Sequence, residues 1–311
     1  MNPNDIVMLI VSMAACLGFS VLQKIFSQKA NLGLFGNFLF TAVGSLVAAL
    51  VLFCTGGLGE SVSLFTVLLA LAFGAVNAAQ TVATVAALRH GPLSYTSVIV
   101  SLSTIITALS GLFFFGEGLA LTHLFGIAMM VATFILAVEK KEGEKKAGIK
   151  WFLLTMVAFA ACGGVGLMQK THQSSAFKEE INAFLLIAFA FSFLFSLVAS
   201  FFFLPGQKKE VRALSRKTWI LLGAVAVLSG VALALNHKFN LYLSGIMPSA
   251  VFFPLVNGVQ LIAATLVSLF LFRERLSVKQ WIGMAIGAVA VIVLCNPFGA
   301  PEFLFLPKFG A

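Results

Sequence analysis

The sequence predicts an all-α integral membrane protein of ten transmembrane helices, built as two inverted five-helix repeats. Three observations predict it. The first is composition: the 311 residues are 60% hydrophobic and only 10% charged, whereas a soluble domain carries about 25% charged residues. That leaves too little polar surface to cover a water-soluble globule. The second is length: the apolar residues fall in runs that reach the about 20 residues a bilayer span requires. The third is repetition. The stretch "ACLGFSVLQK" at 15–24 returns as "ACGGVGLMQK" at 161–170.

Charge and turn residues divide the chain into spans near 5–26, 33–54, 62–88, 93–115, 119–138, 150–172, 180–204, 218–243, 248–272 and 277–296. The first run is not a cleavable signal peptide, because it lacks a basic start and exceeds the about 7–15 residues of a signal core. The organisation expected is a first repeat over 1–138, a charged cytoplasmic linker over 139–149, a second repeat over 150–296 and a tail over 297–311. The tail holds three prolines and is expected at the surface.

The basic residues support that count. Lys140, Lys141, Lys145, Lys146 and Lys150 follow span 5; Lys208, Lys209, Arg212, Arg216 and Lys217 follow span 7. Arg273, Arg275 and Lys279 follow span 9, Arg89 follows span 3, and Lys24 and Lys29 flank the end of span 1. With ten spans all of these face one side, which the positive-inside rule makes cytoplasmic, so both termini are expected outside. The net charge of +9 thus records topology, and no nucleic-acid partner is expected. Cys16, Cys54, Cys162 and Cys295 lie in or at the ends of apolar runs. They read as small apolar residues, not as a disulfide framework or metal site. No cofactor is expected.

The repeat extends beyond the opening decapeptide. Ala14, Cys16, Gly18, Gln23 and Lys24 match Ala160, Cys162, Gly164, Gln169 and Lys170 at an offset of 146. Phe113, Phe115, Glu117, Leu119 and Gly126 match Phe270, Phe272, Glu274, Leu276 and Gly283 at an offset of 157. Pro92 and Pro248 open spans 4 and 9. Five helices is an odd number, so the second copy enters the membrane upside down. Inverted repeats of this kind let two halves open alternately to either side.

The closing pair of each half, "GPLSYTSVIVSLSTIITALSGLFFFGEGLALTHLFGIAMM" and "MPSAVFFPLVNGVQLIAATLVSLFLFRERLSVKQWIGMAIG", resembles the drug/metabolite transporter superfamily, in particular its EamA-like members. The resemblance covers essentially the whole chain. It implies a central cavity lined by spans 1–4 and 6–9, with spans 5 and 10 outside it.

Polar residues inside spans are functional candidates, although small hydroxyls also act as packing glue. Asn77, Gln80, Thr81 and Thr84 share one face of span 3. Asn257 and Gln260 sit mid-span 9 after Pro254, where a kink is expected. Ser97, Ser101 and Thr104 read as packing groups, and Asn236 and Asn240 share a face of span 8. Gln23 with Lys24 and Gln169 with Lys170 are repeat mates. Their lysines have two readings: snorkelling to the interface, or holding the two mouths of one pathway. His237 is a lone proton-carrier candidate or a structural group. Glu117 and Glu274 read as helix caps or gate contacts. The substrate-binding candidates are therefore Asn77, Gln80, Thr84, Asn257, Gln260, Asn236, Gln23, Lys24, Gln169 and Lys170.

Apart from Asp5, no acidic residue lies within a span as placed, which disfavours exchange of cationic drugs for protons through a buried carboxylate. No nucleophile–base pair, metal motif or carboxylate pair supports an intramembrane enzyme. The expected function is secondary transport of a small polar metabolite across the inner membrane, an amino acid or related zwitterion being favoured. Sugar-phosphate or nucleotide-sugar transport, or a non-transporting sensor of the same fold, are the alternatives. Gly283 and Gly287 form a GxxxG on span 10, a packing or dimer face; a homodimer would use spans 5 and 10.

Overall fold

The structure is a computed structural model that describes residues 2–30, 32–59, 62–91, 93–116, 121–137, 149–271 and 277–295. Pro92, the turns with Glu117 and Glu274, Arg273, Arg275, the linker through residue 148 and the tail from 297 lie outside the described residues. Among the described residues there is no strand. The helices are α1 (Pro3–Lys29), α2 (Gly33–Gly56), α3 (Leu64–His90), α4 (Leu93–Ser101), α5 (Thr104–Phe115), α6 (Leu121–Ala137), α7 (Ile149–Gln173), α8 (Ile181–Phe203), α9 (Lys208–Ala213), α10 (Arg216–Ile246), α11 (Ser249–Leu271) and α12 (Val278–Cys295). Seven of them, α1, α2, α3, α7, α8, α10 and α11, are long and apolar enough to cross a membrane. Large apolar side chains such as Leu64, Phe114 and Phe202 point outward and are exposed, as a lipid-facing surface requires. The protein is an all-α, multi-pass membrane protein.

Local chemistry sets the helix ends. Asp5 Oδ2 accepts the Asn2 N–H at 2.9 Å at the start of α1. Ser63 Oγ accepts the Thr66 N–H at 3.2 Å and Ser215 Oγ the Thr218 N–H at 3.2 Å, so α3 and α10 begin with the same Ser cap. Gly116 closes α5 in the left-handed region at φ +60°, a conformation that costs glycine nothing.

One expectation is corrected. The stretch 93–115 is not one helix: it breaks at Leu102 and Ser103 into α4 and α5. There the bonds tighten to i−3, from Leu102 N–H to Ile99 O (3.1 Å) and from Ser103 N–H to Val100 O (3.0 Å), the short-turn geometry that marks breaks within helices. α11 carries Pro254 inside the helix. The basic stretch 208–217 also holds helix α9, preceded by a 3-10 turn at Pro205–Gln207.

Helices from the two parts of the chain interlock. α2 packs on α8, α1 on α10, α3 on α7, and α6 on α12, with further contact of α2 with α10 and α3 with α8. Glycine permits the closest approaches. A Cβ on Gly230 of α10 would meet the Gly44 carbonyl oxygen of α2 at 2.5 Å, and one on Gly74 of α3 would run into the Ala188 carbonyl of α8. Ser45 and Ser192 share a hydrogen bond of 2.9 Å where α2 meets α8. Phe73, Phe184, Phe189, Leu52 and Leu185 fill the core between these helices. Within the same chain, a Cβ on Gly287 of α12 would lie 2.9 Å from Thr133 Cγ2 of α6. That glycine of the GxxxG therefore seats α12 on α6.

Candidate functional site

A cavity of ≈ 150 Å³ lies among α1, α3, α4, α5, α7, α10 and α11. Helical period explains why α3 reaches it with a polar edge: Asn77, Gln80 and Thr84 are three and four residues apart and all line it. Asn257 and Gln260 enter from α11, Asn236 from α10, Gln23 from α1 and Gln169 from α7. Eight of the ten residues singled out in the sequence thus lie on one cavity.

Lys24 and Lys170 do not line it. Lys24 is 5% exposed and Lys170 7%, so neither snorkels. Lys24 Nζ donates to Leu88 O at 3.1 Å and Gly91 O at 3.0 Å. Lys170 Nζ donates to Ser244 O at 3.0 Å and Met247 O at 3.2 Å. Both ammonium groups thereby hold carbonyls at the C-terminal ends of α3 and α10, where the helix dipole favours a cation. Lys238 instead donates to Thr55 Oγ1 at 3.2 Å.

Several amides are already committed. Asn236 Nδ2 donates to Ser12 O at 3.2 Å, and Ser12 Oγ donates to Asn240 Oδ1 at 2.7 Å. Asn257 Nδ2 donates to Thr104 Oγ1 at 2.7 Å, which ties α11 to the first residue of α5 beside the break. Gln169 Nε2 lies 3.2 Å from His237 Nδ1; with Gln169 as donor, the ring carries its proton on Nε2 and is neutral. Phe73 and Phe189 meet the same ring edge-on, each with centroids 5.4 Å away.

Others are not committed. Asn77 is 1% exposed and its Nδ2 has no hydrogen-bond partner; Gln260 is 7% exposed and its Oε1 has none. Buried amide groups are almost always paired, and these two atoms are exceptions.

Sequence reasoning missed part of the lining. Ser97 and Ser101, read as packing groups, face the cavity, as do Cys16, Cys162, Ser20 and Thr107. The signal for the cysteines was present: they are repeat mates beside the Gln-Lys pairs. Phe19, Phe252 and Phe253 supply an aromatic wall. No Asp, Glu, Lys or Arg lines the cavity among the described residues, and none of those residues forms a group of three metal-ligating side chains.

No family model matches the chain, and no curated protein matches it. A solved structure described only as a crystal structure of a protein is similar to it, with a TM-score of 0.63 and 17% identity over 93% of this chain and 98% of its own. At that identity the likeness concerns the fold alone.

Proposed function

We propose that this protein is a secondary transporter of the EamA-like drug/metabolite type, moving a small polar metabolite by alternating access across the inner membrane, with no enzymatic step. The observation that carries this reading is one cavity lined by repeat mates from both halves, Gln23 with Gln169 and Cys16 with Cys162. Inverted-repeat transporters bind their solute at the interface of the repeats.

Further pairings support the inverted repeat. The contact of α1 with α10 has its mate in that of α7 with α3. The Ser63 cap has its mate in the Ser215 cap. Counting α4 and α5 as one span, and adding α6 and α12 to the long helices, restores ten spans. The basic loops then face the cytoplasm, with both termini outside. A homodimer through spans 5 and 10 would use the outward faces of α6 and α12, where Phe125, Ile135 and Ile282 are exposed.

The cavity narrows the solute. Drug-sized ligands occupy pockets of about 300–1,000 Å³, so ≈ 150 Å³ is too small for a nucleotide sugar. A sugar-phosphate or zwitterion would leave its charges without an oppositely charged side chain on the described lining, and an unpaired buried charge is costly. An uncharged polar solute fits better than the amino acid favoured from sequence.

Counterflow in proteoliposomes tests the proposal, with panels of small amides, amino acids, sugar-phosphates and nucleotide sugars. Saturable flux is expected, lowered by Asn77→Ala and Asn257→Ala in protein that still folds. Saturable binding of a panel solute with no flux of any would instead support a sensor of the same fold.

A further inference from the structure

Resting on the transporter reading, the inference concerns which chemistry the cavity selects. The orientation of Gln260 is fixed by a chain of bonds. Ser20 Oγ donates its only hydrogen to Cys16 O at 3.1 Å. A hydroxyl has one hydrogen, so Ser20 Oγ can meet Gln260 only as an acceptor. Gln260 must therefore turn its NH₂ toward Ser20, at 2.9 Å, and leave Oε1 unpaired. With the amide flipped, Ser20 could bond Gln260 only by giving up Cys16 O, so one of the two bonds would be lost.

Across the same cavity, Asn77 offers the complementary group. Its Nδ2 is buried and unpaired. The site thus presents an unused N–H donor from α3 and an unused C=O acceptor from α11, with no charged side chain on the described lining. Phe19, Phe252 and Phe253 form the apolar part of the wall. A cavity of about 150 Å³ accommodates a benzene-sized molecule.

We propose that the cavity is a selective site for small, uncharged carboxamides, whose C=O takes the Asn77 N–H and whose N–H reaches the Gln260 carbonyl oxygen. An anion of the same shape has no donor for Gln260, and either ion would bring a charge that no side chain of the described lining opposes. A site built to pair both ends of a solute rejects analogues that leave one of its buried groups unpaired.

Benzamide, benzoate and benzamidine share one shape and differ in charge and in donor and acceptor content. Calorimetric titration of the purified protein in detergent reads each. Benzamide is expected to bind at least tenfold more tightly than either ion. Asn77→Leu and Gln260→Met are each expected to weaken benzamide at least fivefold, and a melting curve alongside shows which variants are folded. Equal affinity for all three, a preference for either ion, or no binding of benzamide at all would overturn the proposal; so would unchanged benzamide affinity in both folded variants. The two readings fail separately. Flux of other solutes without benzamide binding would leave transport standing and remove the carboxamide site. Benzamide binding by the expected residues, with no flux of any solute of the panel, would leave the site and remove the transporter.

Discussion

Lys24 and Lys170 make the same pair of bonds, 146 residues apart in the chain. Each ammonium reaches two main-chain carbonyls at the end of another helix, Leu88 and Gly91 after α3, Ser244 and Met247 at the end of α10. Helix ends leave carbonyls without intrahelical partners. In both places the helix that follows, α4 or α11, walls the cavity. Each lysine therefore fixes where a cavity helix begins.

Removing either ammonium should loosen its end of the cavity. Lys24→Met and Lys170→Met are each expected to cost about 1.5–3 kcal/mol, the usual worth of hydrogen bonds to a charged group, read from reversible unfolding in mild detergent. In an inverted repeat the two variants act at opposite membrane faces. A membrane-impermeant thiol reagent should then reach the cavity cysteines from one face in Lys24→Met and from the other in Lys170→Met. Access from the same face in both would argue against inversion.

A second contact makes a pH prediction. Ser63 N–H donates to both Glu180 carboxylate oxygens, at 3.2 and 3.1 Å, and Ser63 Oγ lies 2.9 Å from Oε2. Burial pushes the Glu180 carboxyl up, but hydrogen bonds from Thr66 and Ser63, with His172 nearby, outweigh it and hold the pKa below its usual value of 4.5. A depressed folded pKa means stability that is present above the unfolded pKa and lost as pH falls through the folded one. The link between the α2–α3 loop and the start of α8 should therefore hold at neutral pH and weaken below about pH 4. Hydrogen exchange of residues 62–66 should rise on acidification in the wild type. In Glu180→Gln it should be raised already at neutral pH and vary less with acid.

Much of this architecture was legible because a bilayer imposes simple rules. Span length and basic loops locate α1, α2, α3, α7, α8, α10 and α11 within a few residues. The face shared by Asn77, Gln80 and Thr84 follows from helical period alone. The break at Leu102 and Ser103 was not legible, since an apolar run with scattered hydroxyls reads as one helix and Asn257, which ties α5 to α11, lies 153 residues from Thr104. The lysines were misread for a similar reason. Their partners are carbonyls of other helices, and a carbonyl leaves no mark in sequence.

Packing gives a prediction independent of the site. Gly74 stands against the Ala188 carbonyl, a backbone atom that cannot rotate away. Gly74→Leu should therefore force α3 and α8 apart and cost about 1–3 kcal/mol as overpacking does. Gly223→Ala is the matching control, because nothing lies within 4 Å of a Cβ there. Its melting point should stay at or slightly above that of the wild type, helix propensity favouring alanine.

The cavity cysteines turn occupancy into a chemical readout. Cys16 and Cys162 line the cavity from α1 and α7, whereas Cys54 is exposed near the end of α2 and is absent from the lining. With Cys54 and Cys295 replaced by alanine, a small membrane-permeant alkylating reagent has only the two cavity thiols to modify. Both thiols are partly buried, so modification should be slow. A solute that fills the cavity should slow it further, by an amount that follows its affinity. Cys16→Ala and Cys162→Ala, each in the same background, should show protection by the same solute at the same half-saturating concentration, because one cavity serves both residues. Different half-saturation at the two thiols would mean that they sense separate spaces, and would break the argument that repeat mates meet at a single site.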